Sequence, residues 1–253
     1  MVKRGKLVAN VVLLHGWGMN QGIWQMQKEV LERQSEHTIN ALNLPGFGGS
    51  KFDSDEYQLD AVTHQLAIEV AEGSVLVAWS LSGLVALKMA QLYPEKVKQI
   101  ILIASSPYFA SSDGWRGIEG KVLDTFMLQL RDDHKKTVER FLAIQAMGSE
   151  HAKQDIKQIK SLLAQYPEAQ QVALSGGLEI LKKDDLRSLF SQIAQPISGI
   201  FGRLDSLVPV KTVAKMKQLN TNFKADILTK ASHAPFISHP DEFTNLLLSH
   251  IEK

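Results

Sequence analysis

Short apolar runs bounded by glycine or proline recur six times along the 253-residue chain, at Val11 to Leu14, Ile39 to Leu44, Val75 to Trp79, Ile100 to Ala104, Ile197 to Phe201 and Ala225 to Leu228. Runs of that length and character read as buried strands. Helical patterns lie between them, among them Leu59 to Glu72, Ser82 to Tyr93 and Val210 to Leu219. Strand and helix therefore alternate, as a mostly parallel sheet requires, and the expected architecture is a three-layered α/β fold. The length is ordinary for one large α/β domain, which often runs to roughly 250 residues, so a single core over 1–253 is expected.

One region breaks the alternation. From about Ser112 to Ser191 the chain shows only helical periodicity, as in Val122, Phe126, Met127, Leu130 and in Val138, Phe141, Leu142, Gln145. It reads as a helical cap, 112–191, inserted into the domain and divided into roughly four helices at Gly148, Tyr166-Pro167 and Gly176-Gly177.

Composition narrows the chemistry. The chain has no cysteine, which excludes a disulfide framework, a thiolate nucleophile and every cysteine-containing metal site. With 28 Lys+Arg against 27 Asp+Glu, the net charge of +1 gives no overall attraction to nucleic acid or to an anionic membrane. The start, Met1 to Lys6, is basic but precedes no apolar run of signal-peptide length before His15, and no stretch approaches the ~18 apolar residues of a membrane span. A soluble cytoplasmic protein is expected. His64, His134, His151 and His250 have no spacing that matches a metal centre, so neither metal nor cofactor is expected. The glycine-rich Pro45-Gly46-Phe47-Gly48-Gly49-Ser50 lacks the lysine of a phosphate-binding loop and reads as a loop at a site's rim.

The most informative segment is Leu76-Val77-Ala78-Trp79-Ser80-Leu81-Ser82-Gly83-Leu84, where a buried strand runs straight into a helix with Ser80 at the junction. A serine on such a bend has its oxygen exposed for attack, and the residues two before and two after must be small because strand and helix nearly touch. Those residues are Ala78 and Ser82, where the usual pattern has glycine at both. Two later segments supply partners in the order serine, acid, histidine. Asp205 follows the run ending at Phe201, and His233 follows the last strand. Loops at the carboxyl ends of strands are where open α/β sheets build their sites. Taken singly, the three residues fit an ordinary strand-to-helix turn, a loop turn-former and a surface histidine. Their joint placement singles them out.

A serine hydroxyl is a poor nucleophile until an imidazole takes its proton, and the imidazole needs a carboxylate to fix its tautomer. The expected roles are Ser80 as nucleophile, His233 as proton shuttle and Asp205 as orienting acid. Oxyanion donors, each worth roughly 3 to 4 kcal/mol of barrier, are expected at the amides of Leu81 and Trp17, the latter in His15-Gly16-Trp17-Gly18. His15 reads as structural, holding that loop by hydrogen bonds.

These segments, with Leu44 to Ser50, Gly202 to Pro209 and His233 to Pro240, resemble the α/β-hydrolase family over nearly the whole chain. Within it the chain is similar to carboxylesterases of biotin synthesis that act on a pimeloyl methyl ester held by acyl carrier protein. The cap segments Thr137 to Ala143, Gln145, Met147-Gly148, Leu174 and Gly176 to Leu181 carry that likeness. The resemblance implies hydrolysis of the methyl ester to a carboxylate and methanol. It implies substrate contacts at Trp17, Ser80, Leu81, Phe141, Gln145 and His233, with Phe141 and Gln145 one helical turn apart. Phe141 fits cap core equally well.

The implied partner, acyl carrier protein, is acidic. Between His134 and Ser161, basic residues outnumber acidic ones by three, and Lys136 with Arg140 and Lys153 with Lys157 each share a helical face. Such pairs also occur as plain solvated surface, and the cap from Ser112 to Ser191 carries twelve charges of each sign. A monomer is expected. The same motifs also serve short-chain esterases, carbon–carbon bond hydrolases and lyases, and a non-catalytic binding protein is a further alternative.

Overall fold

In the computed structural model, which describes residues 8–146 and 151–252, all six expected strands form one parallel sheet. The strands are β1 (Asn10–Leu14), β2 (Thr38–Leu42), β3 (Ser74–Trp79), β4 (Val97–Ile103), β5 (Ile197–Gly202) and β6 (Lys224–Leu228), in the order β2-β1-β3-β4-β5-β6. The basic start Met1 to Lys6, the cap motif Met147-Gly148 and the charge at Glu150 lie outside the described residues.

The alternating parity of a strand separates the two faces. Val12, Leu14, Leu76, Ala78, Ile100 and Leu102 enter one apolar core, while Val11, Leu13, Val75, Val77, Ile101 and Ile103 enter the other. The second face is covered by Trp24 just before α1 (Gln25–Gln34), by Leu31 of α1 and, at the end of the chain, by Phe243 and Leu247 of α11 (Pro240–Ile251). Against the first face pack α2 (Leu59–Ala67), α3 (Ser82–Leu92) and α9 (Val210–Leu219). A one-turn helix, α10 (Pro235–Ser238), follows β6.

Between β4 and β5 the described residues form five helices: α4 (Gly120–Asp132), α5 (His134–Ala146), α6 (Ala152–Leu163), α7 (Gln171–Lys183) and the short α8 (Arg187–Gln192). Their inner residues, including Leu123, Phe126, Phe141, Leu174 and Leu178, continue the first core without a break. Tyr166-Pro167 separates α6 from α7, but Gly176-Gly177 sits inside α7 and breaks nothing. The reason is tertiary. A Cβ at Gly176 would collide with Tyr57, and one at Gly177 would lie 2.6 Å from Trp17 Cδ1. Helix α7 needs these glycines to approach the sheet domain closely.

Small boundary differences have local causes. β2 stops at Leu42 because the Leu44 amide leaves the ladder to bond His15 Nε2 at 3.0 Å. Helix α2 ends at Ala67, short of the expected Glu72, as the next amides turn back to carbonyls three residues earlier. Among the described residues, no helix is long and apolar enough to cross a membrane.

The strand order has a functional consequence. The chain leaves β1 toward β2 on one side and, after β3, proceeds to β4 on the other. The carboxyl ends of β1 and β3 are therefore neighbours at the point where the winding reverses, which is where open α/β sheets form a crevice. Leu14 pairs with Ala78 at the last rung of that ladder, so the loops that follow emerge side by side.

Candidate active site

Ser80 occupies the turn out of β3 with φ of +58°, a conformation that L-residues rarely adopt. Its amide donates to Ile103 O at 3.0 Å, and its carbonyl accepts from Gly83 N at 3.0 Å and from Ser105 Oγ at 2.6 Å. A close approach is found at Gly83, where a Cβ would collide with Ser105 Oγ in the loop after β4. The turn forms with Ala78 and Ser82 both fully buried beside it.

Asp205 stands in the loop after β5, and His233 lies between β6 and α10. The three side chains meet. His233 Nε2 is 2.9 Å from Ser80 Oγ, and His233 Nδ1 is 2.8 Å from Asp205 Oδ2. The other carboxylate oxygen, Asp205 Oδ1, accepts the amides of Leu207 at 2.8 Å and Val208 at 3.0 Å. Those two bonds fix the carboxylate plane, and an ionised acceptor makes each of them stronger than a neutral pair. With Oδ2 accepting, the imidazole proton resides on Nδ1 and leaves Nε2 free to receive the serine proton. The His233 carbonyl is held in turn by Trp79 Nε1 at 2.8 Å. Ser80, Asp205 and His233 are all at least 96% buried, so water competes little for these bonds.

The loop after β1 runs past the serine. A Cβ at Gly16 would sit 3.1 Å from Ser80 Cβ, and Gly18 adopts φ of +72°. Among the described residues, neither the Trp17 nor the Leu81 main-chain amide donates a hydrogen bond within the protein. Leu81 follows Ser80 directly, and Trp17 follows the Gly16 that packs against it. His15 is buried, with Nε2 accepting from Leu44 N and Nδ1 2.8 Å from Gly16 O. Burial lowers its pKa to about 4, so it is neutral near pH 7, with the proton on Nδ1 donating to Gly16 O. It fastens the loop, as expected, and has no free nitrogen for proton transfer.

The cap residues divide. Phe141 is buried edge-on to Trp17 at 4.8 Å and to Phe126 at 5.6 Å between ring centroids, so it joins the cap core and touches the loop beside the serine. Gln145 is buried, and its Oε1 has no hydrogen-bond partner among the described residues. Buried carbonyl oxygens are seldom left in that state without a ligand or water to satisfy them. Lys136 pairs with Asp133 at 3.0 Å, whereas Arg140, Lys153 and Lys157 are exposed. Of the neighbouring acids, Asp155 is buried and Glu139 pairs with Lys160 at 2.8 Å. Sequence reasoning placed Leu174 among the cap segments of the likeness but missed that its carbonyl accepts Trp17 Nε1 at 2.8 Å, and it missed Ser105 behind the turn. The only local signal for the former was the glycine pair two residues further on.

A family model described as the alpha/beta hydrolase fold matches residues 9–240. Proteins named pimeloyl-[acyl-carrier protein] methyl ester esterase are similar over almost their full lengths. That of Aeromonas hydrophila is 43% identical over 94% of this chain and 93% of its own. That of Pseudoalteromonas atlantica is 46% identical over 92% and 91%. That of Salmonella heidelberg is 41% identical over 95% and 93%. Among solved structures, an esterase from Exiguobacterium antarcticum superposes with a TM-score of 0.86 at 20% identity, covering 97% of this chain and 92% of that one. A bromoperoxidase from Bacillus anthracis gives 0.84 at 20% identity over 98% and 93%. At those identities the structural likeness speaks to the fold alone, and it is the family model, spanning the elbow and both later loops, that carries the assignment: the chain belongs to the α/β-hydrolase family.

Proposed function

We propose that this chain is a serine carboxylesterase of biotin synthesis that hydrolyses the methyl ester of a pimeloyl chain borne on acyl carrier protein, the ester that the names of its relatives print. The observation that carries the chemistry is the continuous hydrogen-bonded line from Asp205 through His233 to Ser80 Oγ, ending at a strained turn. The substrate class rests on relatives 41–46% identical over more than nine-tenths of the chain.

In this reading His233 Nε2 takes the Ser80 proton as Oγ attacks the ester carbonyl carbon. The oxyanion is met by the Leu81 and Trp17 amides. Collapse of the tetrahedral intermediate breaks the bond to the methoxy oxygen, which leaves as methanol with the proton from His233. Water then attacks the acyl-enzyme, giving one proton to His233, and the serine leaves with that proton as the carboxylic acid forms, which then loses its remaining proton to solvent. Asp205 holds the Nδ1–H tautomer and stabilises the imidazolium throughout.

Trp17, Phe141 and Gln145 line the acyl path, with Gln145 Oε1 accepting from substrate or from a water bound with it. Lys136, Arg140, Lys153 and Lys157 form the face that meets the acidic carrier. Their contribution is mainly to association rate, and it weakens with salt.

The test is a mass-spectrometric assay of the purified protein with pimeloyl methyl ester on acyl carrier protein, beside Ser80→Ala and a high-salt arm. Loss of the methyl group with wild type only, slowed by salt, is the expected result. No methyl loss alongside cleavage of p-nitrophenyl butyrate would retain the esterase and discard the carrier-borne substrate.

A further inference from the structure

The turn around Ser80 lacks the glycine that such turns carry two residues after the nucleophile, and the residue found there has a definite structural place. Ser82 is the first residue of α3 and is fully buried. Its Oγ lies 2.9 Å from Trp79 O and 3.1 Å from Leu14 O. The bond to Trp79 spans three residues and is the local kind that serine makes to its own backbone. The bond to Leu14 is different, because it crosses from α3 to the last residue of β1, 68 positions earlier.

That crossing comes where the sheet has stopped holding the two segments together. The β1–β3 ladder ends at the pair Leu14 and Ala78. Beyond it, β1 continues into His15 to Gly18 with the Trp17 amide, and β3 continues into Ser80 and the Leu81 amide. The Ser82 hydroxyl adds a tie at the ladder's end, joining a position one residue from Leu81 to Leu14, three residues from Trp17. Ser105 Oγ braces the opposite side of the turn at Ser80 O, and Gly83 supplies the space for it. A residue at positive φ persists only where its surroundings over-determine it, and these two hydroxyls are part of what does so here.

We infer that Ser82 is a positioning residue for the oxyanion hole. Its hydroxyl proton, shared between the Trp79 and Leu14 carbonyl oxygens, sets the spacing between the Leu81 and Trp17 amides in a chain that lacks the elbow glycines. The inference rests on the esterase reading above. The oxyanion develops only in the transition state, so slack between its two donors lowers kcat and leaves ground-state binding nearly untouched.

The experiment compares Ser82→Ala, Ser82→Gly and Ser82→Thr with wild type on p-nitrophenyl butyrate. Active sites are counted by fluorophosphonate labelling of Ser80, and inhibition is measured with a trifluoromethyl ketone, which adds the Ser80 oxygen and forms an anionic hemiketal in the same hole. Loss of one net hydrogen bond corresponds to about a 3- to 10-fold change. Ser82→Ala and Ser82→Gly are expected to lower kcat per labelled site by that factor, with KM within about twofold, and to weaken the ketone by the same factor. Ser82→Thr retains the hydroxyl and is expected to recover most of the loss. Wild-type kcat per labelled site in both hydroxyl-free variants, even with a lowered melting temperature, would overturn the inference. So would a kcat loss without a matching rise in the ketone Ki. Should Ser82→Ala fail to fold, Ser82→Gly decides alone, since glycine is the residue such turns usually carry there. If wild type neither cleaves the ester nor labels at Ser80, the esterase reading falls first and takes the role of Ser82 with it.

Discussion

Trp17 donates its indole Nε1–H to the main-chain oxygen of Leu174 at 2.8 Å, so the loop that carries one proposed oxyanion donor is bonded directly to cap helix α7. The ring is fully buried, with Phe141 edge-on to it. Trp17→Phe keeps the main-chain amide and an aromatic surface but deletes the indole donor. The expected outcome is a stability loss of about 1 kcal/mol in urea unfolding, the net worth of one such bond, plus packing losses from the smaller ring. Turnover of p-nitrophenyl butyrate should survive, with KM raised more than kcat is lowered, because the oxyanion donor belongs to the backbone.

Asp205 discriminates between orientation and simple charge. Asp205→Asn can still accept the Leu207 and Val208 amides, so the loop should keep its shape. Its side-chain NH2 would face His233 Nδ1 and force the proton onto Nε2, the nitrogen that must receive the Ser80 proton. A loss of about 10⁴ in kcat with an unchanged melting temperature is expected, by analogy with other triads. A loss below tenfold would mean that Asp205 does not set the tautomer.

The proposed site was legible where function coincides with position along the chain. Ser80, Asp205 and His233 each sit just past a short apolar run, and such runs announce their own ends. What stayed hidden depends on pairs of residues far apart in sequence. Gly176-Gly177 looks like a helix break in one dimension, and only the approach of Tyr57 and Trp17 turns it into a contact surface. Ser82 looked like a weakened elbow, because the Leu14 carbonyl it reaches is 68 residues away. The charge count of the cap gave Asp155 the weight of a surface acid, although it faces inward.

His15 makes stability depend on acid. Its folded-state pKa lies near 4 through burial, below the 6.5 of an exposed imidazole. Between those values the unfolded chain binds a proton that the folded protein excludes, so stability rises with pH across this window. The contribution is complete above about 6.5 and is lost as pH falls toward 4, amounting to about 3 kcal/mol. Urea titrations at pH 7, 6, 5 and 4.5 on wild type and His15→Asn should diverge in slope, with the variant flatter. Parallel curves would show that His15 is not the group responsible.

The basic face of the cap can be separated from the chemistry beneath it. Arg140, Lys153 and Lys157 are exposed, and the Debye length near 8 Å at physiological salt leaves room for a carrier surface to sense them. Lys153→Glu with Lys157→Glu is expected to lower kcat/KM on the carrier-borne ester by about tenfold or more, since like charges across an interface repel. The effect should shrink as salt is raised, and it should be absent when the same pimeloyl ester is presented without carrier. An equal loss on both substrates would assign these lysines to cap stability.

Two glycines in the cap make opposite predictions. A Cβ at Gly177 would lie 2.6 Å from Trp17 Cδ1 and 3.4 Å from a Leu81 methyl, whereas one at Gly120, at the start of α4, would meet nothing within 4 Å. Helix propensity favours alanine over glycine by up to about 1 kcal/mol at either position. At Gly177 that gain is set against overpacking, which costs about 1 to 3 kcal/mol in a well-filled core. Trp17 cannot yield easily, because its indole is fastened to Leu174 from within the same helix. Gly177→Ala should therefore lower the melting temperature and depress kcat by disturbing Trp17 and Leu81 together, while Gly120→Ala should leave kcat alone and hold or raise the melting temperature. A stabilised Gly177→Ala with full activity would mean that α7 stands off from the loop after β1, and that the cap does not press on the proposed oxyanion hole.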